Sequence, residues 1–144
     1  MSRLNIEIPV NELSHVRIPV RISDINYGNH LGNDAIVSII HEARVQFLQS
    51  HSFTELDAGG ISLIMKDLQV NYLNESFYGD MLEVVIGCNE ISAVSFQLVY
   101  RVLTHRHEKV IDIAHASTRL VGYNYNTRRL TKLPDALVSI LKTN

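Results

Sequence analysis

Between Ile6 and Ile22 apolar residues fall at alternate positions, as on a strand: Ile6, Ile8 and Val10, then Val16, Ile18, Val20 and Ile22 after the turn-like Asn11-Glu12. From Asp34 to Ser50 they recur three and four apart, as on a helix. Ala35, Ile36, Val37, Ile39, Ile40, Ala43, Val45, Phe47 and Leu48 cover most of its circumference. The spacing predicts a first strand over Val16 to Ile22 and a largely buried helix capped by Asn33 or Asp34. Pro9 and Pro19 cannot donate to a ladder, which puts this first part at a sheet edge or a bulge. Beyond the bendable pair Gly59-Gly60, strands are predicted at Ile61 to Leu73, Met81 to Glu90, Val94 to Thr104 and Lys109 to Tyr123. The short polar turns between the last three make them an antiparallel meander. Pro134 opens a final helix, Asp135 to Lys142, expected to cover the surface. One strand, a long helix and four strands is an α+β order: an antiparallel sheet wrapped around a central helix. Such a sheet leaves an edge strand unpaired, so a homodimer or a dimer of dimers is expected.

The change of period happens inside Asp24-Ile25-Asn26-Tyr27-Gly28-Asn29-His30-Leu31-Gly32-Asn33. This is turn chemistry with a dense set of reactive side chains. It feeds a helix N-terminus, where free backbone N–H groups and the positive end of the dipole favour a developing negative charge. The polar positions left on the helix, Asp34, Ser38, His41, Glu42, Gln46 and Gln49, fall close to one stripe, facing solvent or a site.

Composition narrows the class. The 144 residues, 46% hydrophobic and 19% charged, fit one domain spanning the whole chain. The formal charge of −2, with no basic tract, points to a small ligand rather than nucleic acid or a membrane surface. A single cysteine, Cys88, excludes an intrachain disulfide and reads as an inert strand residue. No signal-peptide pattern opens the chain, and no run approaches the ~18 apolar residues that span a bilayer, so a cytoplasmic location is expected. His41-Glu42 is followed by Val45 where a zinc-protease motif needs a second histidine, and His105 and His107 complete no ligand set. No metal or other cofactor is expected. Neither a Gly-x-Ser-x-Gly elbow nor a glycine-rich phosphate loop occurs.

Arg21-x-Ser23-Asp24-x-Asn26, Gly28-x-His30-x-x-Asn33, Glu42-Ala43-Arg44, Val70-x-Tyr72, Gly79-Asp80 and Leu82-Glu83-Val84 follow one another in an order that resembles a known family. It is the 4-hydroxybenzoyl-CoA thioesterase branch of the hotdog-fold acyl-CoA thioesterases, and the resemblance runs from about residue 16 to residue 121. It implies a hotdog fold, hydrolysis of a small-molecule acyl-CoA to acid and CoA, and active sites built across a dimer interface. It also places the oxyanion-binding N–H at Asn33, where a helix start would put it. The family's base is the second acid of Asp-x-Asp, and here that position is Asn26. An amide cannot take a proton from water, although its carbonyl oxygen can orient one. The role then passes to Glu42, Asp34 or His30, with Glu42 first, because a carboxylate on a buried helix is costly unless used or paired. The competing roles are a salt bridge to Arg44 or Arg21 for Glu42, and a hydrogen-bonded turn for His30. Asp24 reads as an acceptor that fixes the loop.

Tyr27, Gly28, Phe47, Phe53 and Tyr72 are the candidates for the acyl path. Lys66, Arg101, Arg106, Lys109, Arg128 and Arg129 are the candidates for the CoA phosphates. Two other functions fit parts of the pattern. The hotdog enoyl-CoA hydratases carry Asp-x-Asn-Pro-x-His, but here the histidine comes six residues after Asp24 instead of five and no proline is present. A non-catalytic acyl-CoA-binding module would account for the missing acid at position 26.

Overall fold

The helical period after Gly32 yields a long helix, α1 (Asn33–Gln49), in the computed structural model, which describes residues 5–142. It follows β1 (Ser14–Pro19) and a 3-10 turn (Ile22–Asp24). Then come β2 (Ser62–Tyr72), β3 (Met81–Asn89), β4 (Ser95–Arg106), β5 (Lys109–Asn124), β6 (Arg129–Leu130) and α2 (Asp135–Lys142). Neighbours in the sheet are antiparallel, in the order β1-β3-β4-β5-β2, with β6 added to β5. Two-residue β6 carries no readable alternation, which is why the sequence reading lacks it.

The alternation along β4 sends Phe96, Leu98, Tyr100 and Val102 into the core, while Arg101 and His105 point to the other face. Opposite them α1 buries Ile36, Ile39, Ile40, Ala43, Phe47 and Leu48. Each large apolar side chain so buried contributes about 1.5–3 kcal/mol. This packing fixes the helix inside the curve of the sheet. Helix α2 is more than a cover, since Leu137 and Leu141 join the same core with Leu133. Arg44 is buried as well. Its guanidinium donates to Glu55 (3.1 Å) and to the Tyr100 hydroxyl (3.3 Å), which in turn bonds Thr118 (2.7 Å).

Several expectations shift. Ile6, Ile8 and Val10 form no strand; the chain before β1 runs irregularly against β3. A Cβ on Gly87 would lie 2.8 Å from the Asn11 carbonyl oxygen and 2.9 Å from Pro9, so only glycine allows so close a crossing. Strand β1 stops at Pro19 because Asp24 accepts the Arg21 N–H (2.9 Å) and tightens the chain into the 3-10 turn. Helix α1 is entered through Gly32, without a side-chain cap, rather than through Asn33 or Asp34. The two sheet edges also differ. Edge strand β1 is six residues long and ends in proline; β2 is eleven residues long, proline-free, and bulged between Met65 and Asp67.

Candidate active site

The loop between β1 and α1 is tied down at both ends. At its entry the Val20 N–H donates to the Asp80 carbonyl (2.9 Å), and at its exit the Leu31 N–H donates to the Ser76 carbonyl (2.8 Å). Within it Ile25 pairs with Leu31, and Asn26 donates its N–H to the His30 carbonyl (2.9 Å). Asn29 turns the tip at φ 66°, a region asparagine tolerates. Asp24 is buried and does fix the loop: its carboxylate accepts from Arg21 and its carbonyl from the Gly32 N–H (3.0 Å). Burial raises the pKa of Asp24, but the Arg21 bonds and charge outweigh it and hold the carboxyl below its ordinary value.

Inside this frame Asn26 and His30 stand together. Asn26 Oδ1 accepts the Gly28 N–H (2.9 Å), and His30 Nδ1 lies 3.3 Å from the Leu31 carbonyl oxygen. A carbonyl only accepts, so Nδ1 carries the proton and Nε2 is left as an acceptor. Nε2 and Asn26 Oδ1 flank Gly28, at 3.2 and 3.3 Å from where its Cβ would be. The Tyr72 hydroxyl, from the end of β2, donates to the Asn33 carbonyl (3.0 Å). Burial, and then the nearby Asp34 charge, raise the pKa of that phenol. Among the described residues no acceptor meets the backbone N–H of Asn33, Asp34 or Ala35. These are the free donors of a helix start. His30, Asn33, Ile36, Tyr72, Ser76 and Ile113 line a cleft of about 200 Å³ beside them. It can hold an acyl carbonyl near an imidazole base and a positive helix end.

Of the other candidates, Asp34 is exposed in the first turn of α1, close enough to Tyr72 for its charge to act on that phenol, and the rest lie elsewhere. Glu42 is exposed, so the cost of burial that favoured it does not apply. It accepts from Gln46 (2.8 Å) and lines a second cleft, about 380 Å³, with Arg17, Arg21, Asp24 and Ser38. Nine residues of helix at ~1.5 Å each separate it from Asn33 by about 13 Å. Of its two expected partners, Arg44 is engaged by Glu55 and Tyr100, and Arg21 lines the same cleft as Glu42 but bonds Asp24. Phe47 is 1% exposed, in the core, and edge-on to His51, so it lines no cleft. Tyr27 and Gly28 are exposed at the loop tip, and Phe53 lines a groove with Val45, Leu48 and Leu56. Arg101 is engaged by Asp112 (2.8–3.1 Å) and Arg106 by Asp80 (2.6 Å), so neither guanidinium is free for phosphate. Lys66, Lys109, Arg128 and Arg129 are exposed and have no ion pair among the described residues. Burial pushes the Cys88 thiol up to about 12, which leaves it unreactive. Among the described residues no three His, Cys, Asp or Glu side chains gather as a metal site, and no helix is long and apolar enough to cross a membrane. The sequence reading missed Ser76, which lines the cleft and anchors Leu31; the Gly79-Asp80 pair three residues on was its visible trace.

A sheet packed against one long helix, with a polar loop at the helix start, is the hotdog arrangement. Residues 20–141 match the Thioesterase-like superfamily, and the chain belongs to that family. It is 26% identical over 128 residues to a 1,4-dihydroxy-2-naphthoyl-CoA hydrolase of Nostoc punctiforme, covering 87% of this chain and 84% of the relative. It superposes on a 1,4-dihydroxy-2-naphthoyl-CoA thioesterase from Synechocystis with a TM-score of 0.79, at 19% identity, over 89% of this chain and 94% of the other. A Staphylococcus aureus protein solved in complex with CoA superposes with a TM-score of 0.78, at 18% identity, over 96% of this chain and 85% of the other.

Proposed function

We propose that the chain hydrolyses the thioester of an acyl-CoA, with His30 as the base and the start of α1 as the oxyanion site. The observation that carries this reading is the cleft lined by both His30 and Asn33, the first residue of α1. Water attacks the thioester carbonyl carbon while His30 Nε2 takes its proton and Asn26 Oδ1 orients it. The negative oxygen of the tetrahedral intermediate is held by the N–H groups at Asn33 to Ala35. Collapse breaks the carbon–sulfur bond, and the departing CoA thiolate takes its proton from the imidazolium. Of the candidates, His30 is preferred over Glu42 because a base must lie within hydrogen-bond reach of the attacking water.

A 200 Å³ cleft is smaller than the ~300–1,000 Å³ common for small-molecule sites. It opens beside Tyr72 on β2, the long proline-free edge. Pairing of β2 with the same strand of a second copy satisfies that edge and completes the cleft, so a homodimer or a dimer of dimers is part of the reading. The free cations Lys66, Lys109, Arg128 and Arg129 are the candidates for the CoA phosphates. The reaction is proposed to run in the cytoplasm.

An acyl-CoA panel, led by 1,4-dihydroxy-2-naphthoyl-CoA and including benzoyl, enoyl, short and long acyl groups, tests the reading through release of free thiol. Thiol release from at least one member is the expected result. Loss of enoyl absorbance without thiol would make the chain a hydratase, and saturable binding with no turnover a binding module. Light scattering at micromolar protein checks the assembly; a monomeric mass would count against the shared site.

A further inference from the structure

The site loop is held by a turn that contains no part of the reacting groups. Ser76, Phe77 and Asp80 form it, between β2 and β3, and Gly79 closes it at φ 92°. The Asp80 carboxylate accepts from the Ser76 hydroxyl (2.7 Å), the Phe77 N–H (3.0 Å) and Arg106 (2.6 Å). Arg106, at the end of β4, also donates to the Glu75 carbonyl (3.3 Å) and lies over the Phe77 ring at 5.2 Å. From this knot the Ser76 carbonyl holds the Leu31 N–H, and the Asp80 carbonyl holds the Val20 N–H. Both ends of the loop that carries Asn26 and His30 are therefore set by the same turn. His30 bonds through Nδ1 to the Leu31 carbonyl, so the residue that the turn grips is also the one that aims the imidazole.

We propose that Asp80 and Arg106 are positioning residues, which hold the aim of His30 Nε2 and the start of α1 through Ser76 and Leu31. Burial raises the pKa of Asp80, yet the donors around it prevail and keep it ionised. The Arg106 Nε is buried with no acceptor among the described residues, a cost that an ordinary surface ion pair avoids. Such a cost is expected where the placement of a group matters to function. A base displaced by about 1 Å can lose on the order of a hundredfold in rate. The proposal rests on the thioesterase reading and goes beyond it, because neither side chain touches the reacting atoms.

The test compares Asp80→Ala, Asp80→Asn and Arg106→Met with Asp112→Asn. The last breaks a different arginine–aspartate pair, Arg101–Asp112 on the outer face of the sheet, where the Asp112 carboxylate bonds Arg101 and His115 and no residue of the loop. For Asp80→Ala and Arg106→Met, kcat should fall about tenfold to a hundredfold with KM within about twofold. Leu31 amide exchange should accelerate at temperatures where circular dichroism shows the fold intact. Asp80→Asn keeps an acceptor and should recover part of the rate; Asp112→Asn should keep its kcat. An unchanged kcat in Asp80→Ala and Arg106→Met would overturn the proposal and leave the thioesterase standing. An equal loss in Asp112→Asn would reduce the effect to stability and overturn it too. Where Asp80→Ala does not fold, Arg106→Met decides alone. A wild type inactive on the whole panel would instead defeat the hydrolase reading, and the Leu31 exchange would still report whether the turn grips the loop.

Discussion

Replacing Asn26 by aspartate puts a carboxylate where the family's base stands, and its consequences can be worked from the loop. The new oxygen keeps the Gly28 N–H bond (2.9 Å in the parent), now charge-assisted, for a gain of about 1 kcal/mol. The nearby start of α1 adds about 0.3–1 kcal/mol. Against this stands Asp34. Its Oδ1 lies 2.6 Å from the Cβ position of Gly32, and the Asn26 Cβ lies 3.6 Å from the same point, so the Asp34 oxygen is within about 6 Å of that Cβ, and a carboxyl carbon one bond further out lies roughly 5–8 Å from it. At an effective dielectric of ~20–80 their repulsion is about 0.7–3 kcal/mol. The terms nearly cancel, and the melting temperature should stay within a few degrees. Activity should not cancel. If the amide only orients water, the carboxylate adds a second base beside His30, and kcat should be kept or raised, by at most a hundred- to ten-thousandfold. The pH dependence of the rate should also change, because a carboxylate then shares the proton transfer. Thiol release from acyl-CoA against pH, with thermal melts on the same preparations, reads both. A variant that melts like the parent but hydrolyses more slowly would refute the reasoning, because the amide itself would then be needed.

His30→Ala should keep its circular dichroism and lose about a hundred- to ten-thousandfold in kcat; unchanged kinetics would return His30 to a turn role. Glu42→Gln should leave kcat within a few-fold, whereas a loss of two to four orders of magnitude would place Glu42 at the thioester, reached across a subunit interface. Tyr100→Phe strips a fully buried hydroxyl from Arg44 and Thr118, costing about 1–3 kcal/mol and lowering the melting temperature by roughly 3–10 °C in a thermal melt. The carboxyls of Asp24, Asp80 and Asp112 are held low by their arginine and other donors against the effect of burial. Their contribution is present above the usual carboxylate range and is lost as pH falls through their lowered values, so acid unfolding should set in below about pH 4.

Where the hydrophobic period is long and unbroken, the sequence reading and the structure coincide. The bounds of α1, β3, β5 and α2 differ by no more than one residue. The motifs at Asp24 to Asn33 and at Val70-x-Tyr72 singled out His30, Asn33 and Tyr72, and these three line one cleft. The pattern could not say which side of α1 faces which strand. Nine apolar residues pointed to a largely buried helix with one polar stripe facing solvent or a site; Glu42 on that stripe is exposed, and so is apolar Val45. Nor does a charge count show which cations are already engaged. Arg101 and Arg106 looked free until Asp112 and Asp80, eleven and twenty-six positions away, were brought to them by strand pairing.

Tyr72 belongs to the edge strand and to the cleft at once, through the bond from its hydroxyl to the Asn33 carbonyl. If β2 is the strand that pairs, subunit association and substrate turnover draw on one free energy, and by mass action each reports on the other. Specific activity should then fall when the enzyme is diluted through its dimer dissociation constant, and saturating acyl-CoA should slow the exchange of subunits between labelled dimers. Tyr72→Phe should weaken this linkage, so that dilution and ligand no longer report on one another to the same degree.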